Sequence, residues 1–177
     1  LLKTRLKAWE LQWTDARRLS LIATVAATKL NSLFVLDTEK SSFFQLLENQ
    51  KELEVRWSPD GSTALYSRRG RTGVELGLTT IAERAPRMLG IFASASQCAW
   101  TPDNTAIYCA VAEKKDGTDD MLVRFDPARP DEKAQKIFSA ADIGFPDARE
   151  MLFTNALPGL IYKNFKDGKL YLVKLSQ

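Results

Sequence analysis

Residues 53–67, LEVRWSPDGSTALYS, decide the fold. Val55 and Trp57 alternate with Glu54 and Arg56, the period-2 pattern of a half-buried strand. Pro59 presets the backbone angle that the first central position of a type I turn needs, and Asp60 suits the second. Gly61 takes positive φ without steric cost, which predicts a three-residue loop closed by a bulge. Leu65 and the β-favouring Tyr66 continue on a second strand. The stretch is a hairpin.

The pattern recurs. Trp13-Thr14-Asp15, Trp57-Ser58-Pro59-Asp60-Gly61 and Trp100-Thr101-Pro102-Asp103-Asn104 align, with Phe153-Thr154-Asn155 as a weaker fourth copy. The four aromatic residues stand 44, 43 and 53 positions apart. A polar loop at Lys114 and a Pro-rich region over 127–146 account for the longer third interval. Strand-length apolar runs follow in fours: 9–13, 19–28, 33–37 and 43–47, then 53–57, 63–67, 74–79 and 87–92. A third set covers 97–100, 106–112, 121–126 and 135–138. The last set, 151–153, 160–162 and 170–175, stops short of its fourth strand. Leu2, Leu6, Trp9 and Trp13 also have helical spacing, so a short helix or an irregular lead stands as the alternative ahead of the strand at 9–13.

A period near 44 with four strands per unit is what a propeller blade requires. No long amphipathic helix interrupts the pattern, which argues against a sheet with helical crossovers. The expected fold is all-β: a β-propeller segment of about four blades of four-stranded antiparallel sheet, a single segment over 1–177 that forms part of a larger ring. Its blades fall near 1–48, 49–93, 94–141 and 142–177.

The WSPDG turn, followed by an apolar strand, an exposed turn and another apolar strand, is similar to the repeat of TolB-type β-propellers, relatives of the WD-repeat propellers. The resemblance runs over nearly the whole chain, is clearest at Trp57 to Gly61, and is next best at Trp100 to Asn104. There Asn104 replaces the glycine and also tolerates the left-handed conformation. Propellers close with ~4–8 blades, and the resemblance implies a ring larger than this chain supplies. An open segment would leave two apolar sheet faces uncovered. Further blades are therefore expected, from the rest of a longer polypeptide or from a second copy; a closed four-bladed disc is the alternative. A chain beginning with Leu1 reads as excised from a longer one. The resemblance also implies an extracytoplasmic or bacterial envelope setting. Similar propellers precede the catalytic domain of prolyl-oligopeptidase-like peptidases, and some carry lyase sites in the channel.

The bulk numbers exclude more than they assign. Apolar residues make up 45% and charged residues 27%, an ordinary globular balance. A net charge of +3 is too weakly basic to imply nucleic acid or an acidic membrane. No apolar run reaches the ~18–20 residues that span a bilayer as a helix. The chain has no histidine, which removes Ser-His-Asp and Cys-His nucleophilic sites and the usual zinc ligand sets from within it. No catalytic, cofactor-binding or metal-ligating residue is assigned, and no cofactor is expected.

Each remaining candidate has a plain structural explanation beside it. Arg68, Arg69 and Arg71 form the densest basic cluster and are interaction candidates for phosphate or an acidic partner. No aromatic residues interleave with them for base stacking, which favours a solvated hairpin loop. Lys114 and Lys115 are the other interaction candidates. Asp116, Asp119 and Asp120 beside them loosely suggest a calcium loop, which the two lysines oppose. Trp13, Trp57 and Trp100 either line a ligand channel or fill the same gap between successive blades; their fixed repeat position favours packing. Asp15, Asp60 and Asp103 belong to turn chemistry. The insertion over 126–147 is either a recognition loop or a passive connector. If the second turn copies the expected bulged loop, Cys98 faces Tyr108 and Cys109 points to the other side of the sheet. Two buried free thiols are expected, although a one-residue change of register would bring the sulfurs together.

The leading expectation is a non-catalytic propeller segment acting as a protein-interaction or ligand-binding scaffold. The runner-up is an accessory part of a larger enzyme, which a downstream G-x-S-x-G segment would mark. Nucleic-acid binding through Arg68 to Arg71 ranks third.

Overall fold

The computed structural model describes residues 9–25, 28–112, 120–139, 148–154 and 159–175. Four antiparallel sheets follow one another along the chain, each in simple meander order. The first contains β1 (Trp9–Trp13), β2 (Arg18–Val25), β3 (Leu30–Asp37) and β4 (Ser42–Lys51). The second contains β5 (Glu54–Trp57), β6 (Thr63–Arg69), β7 (Val74–Thr80) and the short β8 (Arg87–Met88). The third contains β9 (Cys98–Trp100), β10 (Ile107–Ala112), β11 (Asp120–Phe125) and β12 (Gln135–Phe138). The fourth has three strands, β13 (Ala148–Thr154), β14 (Gly159–Asn164) and β15 (Leu170–Lys174). Residues 9–13 are thus a strand, and the expected four-strand cadence holds through three sheets.

The sheets stack face to face, and the period of 2 along each strand divides the core between neighbours. On β6, Tyr66 packs with Leu33, Val35 and Trp57 between the first and second sheets. Its neighbour Leu65 packs instead with Ile107, Cys109 and Val123 between the second and third. On β10, Ala110 joins Leu122, Met151 and Leu160 between the third and fourth. Burial on both faces explains why β6 and β10 read as nearly continuous apolar runs. The outermost faces have no neighbour among the described residues. Leu11 (61% exposed) and Trp13 (60%) stand on the outer face of the first sheet, where Leu21 and Ala23 are buried. Leu152, Leu170 and Leu172 are exposed on the last.

Two expectations are corrected. The hairpin loop after Trp57 has four residues rather than three: Trp57 pairs with Ala64, and Ser58 N–H donates to the Thr63 carbonyl at 2.8 Å. Side chains make the longer loop affordable. Ser58 Oγ accepts Thr63 N–H at 3.0 Å, and the Asp60 carboxylate accepts Ser62 N–H at 3.0 Å. Gly61 nevertheless has the expected positive φ of 66°. The third sheet copies this loop, with Asn104 at φ 63° and Thr101 N–H on the Ala106 carbonyl at 2.9 Å.

The second correction follows from the first. One extra loop residue shifts the register, so Cys98 lies opposite Cys109 rather than Tyr108. Their Cα atoms are 4.1 Å apart and the sulfurs are bonded. The cysteines form a fully buried disulfide in the core between the second and third sheets, not two free thiols.

Candidate functional site: the inner wall of the stacked sheets

The first strand of every sheet carries the repeat aromatic near its end, and these four strands converge; Asn155 of the weaker fourth copy lies outside the described residues. At the position shared by Trp13, Trp57, Trp100 and Phe153, each side chain is turned toward the preceding sheet. Trp57 and Trp100 are 9% and 8% exposed there. Trp100 Nε1 donates to the Arg56 carbonyl of the preceding sheet at 3.4 Å. Phe153 meets Tyr108 of the preceding sheet edge to face, with ring centroids 5.3 Å apart. Trp13 occupies the same position with no preceding sheet among the described residues, and stays exposed. The recurrent aromatic is inter-sheet packing.

The turns nest in the same direction. A Cβ on Gly61 would lie 2.5 Å from the Thr14 carbonyl oxygen of the first turn. At the matching point, Asn104 Oδ1 accepts the backbone N–H of Asp60 at 3.3 Å. Burial works to raise the Asp60 pKa, but hydrogen bonds from the Ser58 hydroxyl and from the Ser62 N–H and hydroxyl outweigh it and hold it below the usual range. Hydrogen bonds from the Thr101 hydroxyl and from the Thr105 N–H and hydroxyl do the same for Asp103. These carboxylates are committed to their own turns. Among the described residues no group of three His, Cys, Asp or Glu side chains could hold a metal ion.

The residue before each recurrent aromatic borders the space inside the strands. Gln12, Arg56, Ala99 and Leu152 occupy this position, and all four line one cavity of 220 Å³. Arg56 crosses it: Nη1 donates at 2.8 Å to the carbonyl of Met151, two sheets away. Burial lowers the Arg56 pKa, while the Glu54 and Glu150 charges act to raise it. A larger cavity of 590 Å³ continues from the first, sharing Gln12 and Arg56 and adding Glu10, Glu54 and Ser96. Glu54 accepts from the Ser94 hydroxyl and from Ser96 N–H. Sequence reasoning missed Arg56 because a charged residue on the polar parity of a strand looks solvated. The signal available was its position, one before the repeat aromatic.

The basic cluster lies elsewhere, and its arginines are not equivalent. Arg68 Nη1 donates to Gln50 Oε1 at 3.2 Å, and its Nη2 pairs with Glu75 at 3.6 Å. Arg69 Nε donates to Glu52 Oε2 at 2.8 Å. Arg71 is exposed at the hairpin tip, with no hydrogen bond or ion pair among the described residues. Lys114, Lys115, Asp116 and Asp119 lie outside the described residues, as do positions 140–147 of the Pro-rich insertion.

No protein-family model and no curated protein sequence matches the chain. Solved structures do. TolB from Acinetobacter baumannii superposes on 94% of this chain and 43% of its own length, with TM-score 0.58 and 13% identity. A nidogen/laminin complex matches over 98% of this chain and 62% of that one, with TM-score 0.65 and 11% identity. The fold is that of a partial β-propeller. The four sheets correspond to blades, and their first strands lie together around the two cavities. An acylaminoacyl peptidase also matches, over 95% of this chain and 33% of its own, with TM-score 0.55 and 13% identity. The chain spans less than two thirds of each of these structures.

Proposed function

We propose that this chain is part of a larger propeller ring that serves as a non-catalytic scaffold for protein or ligand binding. The observation that carries the reading is the contrast between Trp13, 60% exposed, and Trp57 and Trp100, below 10% at the same blade position. Every interior blade buries this aromatic against a predecessor. The first blade therefore fits a preceding blade, and the exposed leucines of the last blade fit a following one. The similar structures are longer than this chain, which supports further blades of the same polypeptide over a second copy. On this reading the chain is one propeller segment, with blade limits near 1–48, 49–93, 94–141 and 142–177.

The buried Cys98–Cys109 bond supports an extracytoplasmic setting, since such bonds persist in oxidising compartments. On the scaffold itself, Arg71 is the exposed basic group of the RRGR loop open to an acidic partner, and Lys114 and Lys115 are the second interaction candidate. The second reading, an accessory part of a larger enzyme, is supported by the likeness to a peptidase structure. A G-x-S-x-G segment downstream in the full-length protein would favour it.

The scaffold reading is tested by capture of binding partners with the full-length protein and with a form lacking residues 94–177. A partner held by the first and lost by the second is expected. Identical partner sets would overturn the assignment of binding to these blades.

A further inference from the structure

The second sheet seats an open thioether on a buried hydroxyl. Val55, Tyr66, Gly77 and Met88 lie opposite one another in a row across β5, β6, β7 and β8. Residues directly opposite share one face of the sheet. Gly77 leaves the third place of the row empty: a Cβ there would lie 2.5 Å from Tyr66 Cζ. The Tyr66 ring therefore lies over β7, and its hydroxyl donates to Met88 Sδ at 3.4 Å. Tyr66 is 2% exposed, and burial raises its pKa, so the hydroxyl stays protonated. Met88 stands on the outer edge, 39% exposed.

Met88 is also the most open sulfur among the described residues. Met151 is buried, Met121 is half-buried, and Cys98 and Cys109 are already bonded to each other. The edge it belongs to is lightly held. β8 is two residues long, and its continuation is tied to β7 by Leu89 N–H on the Leu76 carbonyl and Leu76 N–H on the Ile91 carbonyl, each at 2.9 Å. Leu89 and Ile91 pack against the core between the second and third sheets.

We propose that Met88 is an oxidation site, converted to the sulfoxide by a peroxide, and that this loosens the outer edge of the second sheet by taking the acceptor from Tyr66. Sδ attacks one oxygen of hydrogen peroxide; the S–O bond forms as the O–O bond breaks. The departing hydroxide takes the proton from the transferred oxygen and leaves as water, so sulfur loses two electrons and the peroxide gains them. The oxidant reaches Sδ from its open side, which points the new oxygen away from Tyr66. The oxidised sulfur is a poor acceptor, and a buried hydroxyl is left unsatisfied. The inference stands independently of the scaffold reading.

The test is peroxide treatment of the full-length protein, followed by peptide mapping in the mass spectrometer and by hydrogen exchange. Met88 should gain oxygen severalfold faster than Met121 or Met151. Exchange of the Leu76 and Leu89 amides should rise at least about fivefold in the oxidised protein, and a methionine sulfoxide reductase should reverse the rise. Met88→Leu offers neither an oxidisable sulfur nor an acceptor, so its exchange should be fast before peroxide and no faster after it. In Tyr66→Phe, Met88 should still oxidise while exchange stays as it was. Oxidation of Met88 no faster than that of Met151, or an oxidised protein with unchanged exchange, overturns the proposal. So does a Tyr66→Phe variant that responds to oxidation as the parent does. Should neither variant fold, exchange in the parent before oxidation, after it and after enzymatic reduction decides alone.

Discussion

Gly61 and Asn104 occupy one point of two equivalent turns, both with positive φ, and both against the preceding blade. Their replacements should differ sharply. Gly61→Ala adds a left-handed penalty, about 1–3 kcal/mol, to a backbone contact of 2.5 Å. Its loss in urea unfolding should therefore reach at least about 2 kcal/mol. Asn104→Gly relieves the same backbone cost while giving up the bond to Asp60, and should stay within about 1 kcal/mol of the parent. Gly61 was legible because a PDG turn requires its conformation. Arg56 was not, because alternation assigns a face to a side chain but does not say whether that face meets water or a channel.

At the scale of the element, the β9–β10 hairpin shows how one loop residue changes chemistry. The three-residue loop would have placed the two sulfurs on opposite sides of the sheet; the four-residue loop places them across from one another. The bond closes a loop of 11 residues' separation. By chain entropy its removal should cost about 3 kcal/mol. Urea unfolding with and without reductant should show that loss, and Cys98→Ala with Cys109→Ala should reproduce it without reductant. Equal midpoints would mean that the bond does not constrain the unfolded chain. The strands themselves were legible, since β6 and β10 bury both faces and so display long apolar runs. The loop length was not, because it depends on Ser58 and Asp60 satisfying backbone donors in three dimensions.

At the scale of the whole molecule, the two outer blade faces have no neighbouring sheet among the described residues. In the full-length protein Trp13→Ser should destabilise by about 3 kcal/mol, the cost of truncating a buried tryptophan. In the isolated chain, where Trp13 is 60% exposed, the same change should cost less than about 1 kcal/mol. Thermal and urea unfolding of both forms measures the difference. A silent substitution in both would mean that no blade covers this face.

The sequence by itself determined the blade. Period-2 alternation, a turn built from Pro, Asp and Gly, and an aromatic returning at intervals of 44 and 43 residues are local or repeated signals. They survive in a linear reading because each blade must solve the same packing problem. Only the tertiary structure decided what lies between blades. The sulfur pairing, the unpartnered Trp57 indole and the reach of Arg56 to Met151 arise where side chains remote in sequence meet, and a repeat pattern does not specify those meetings.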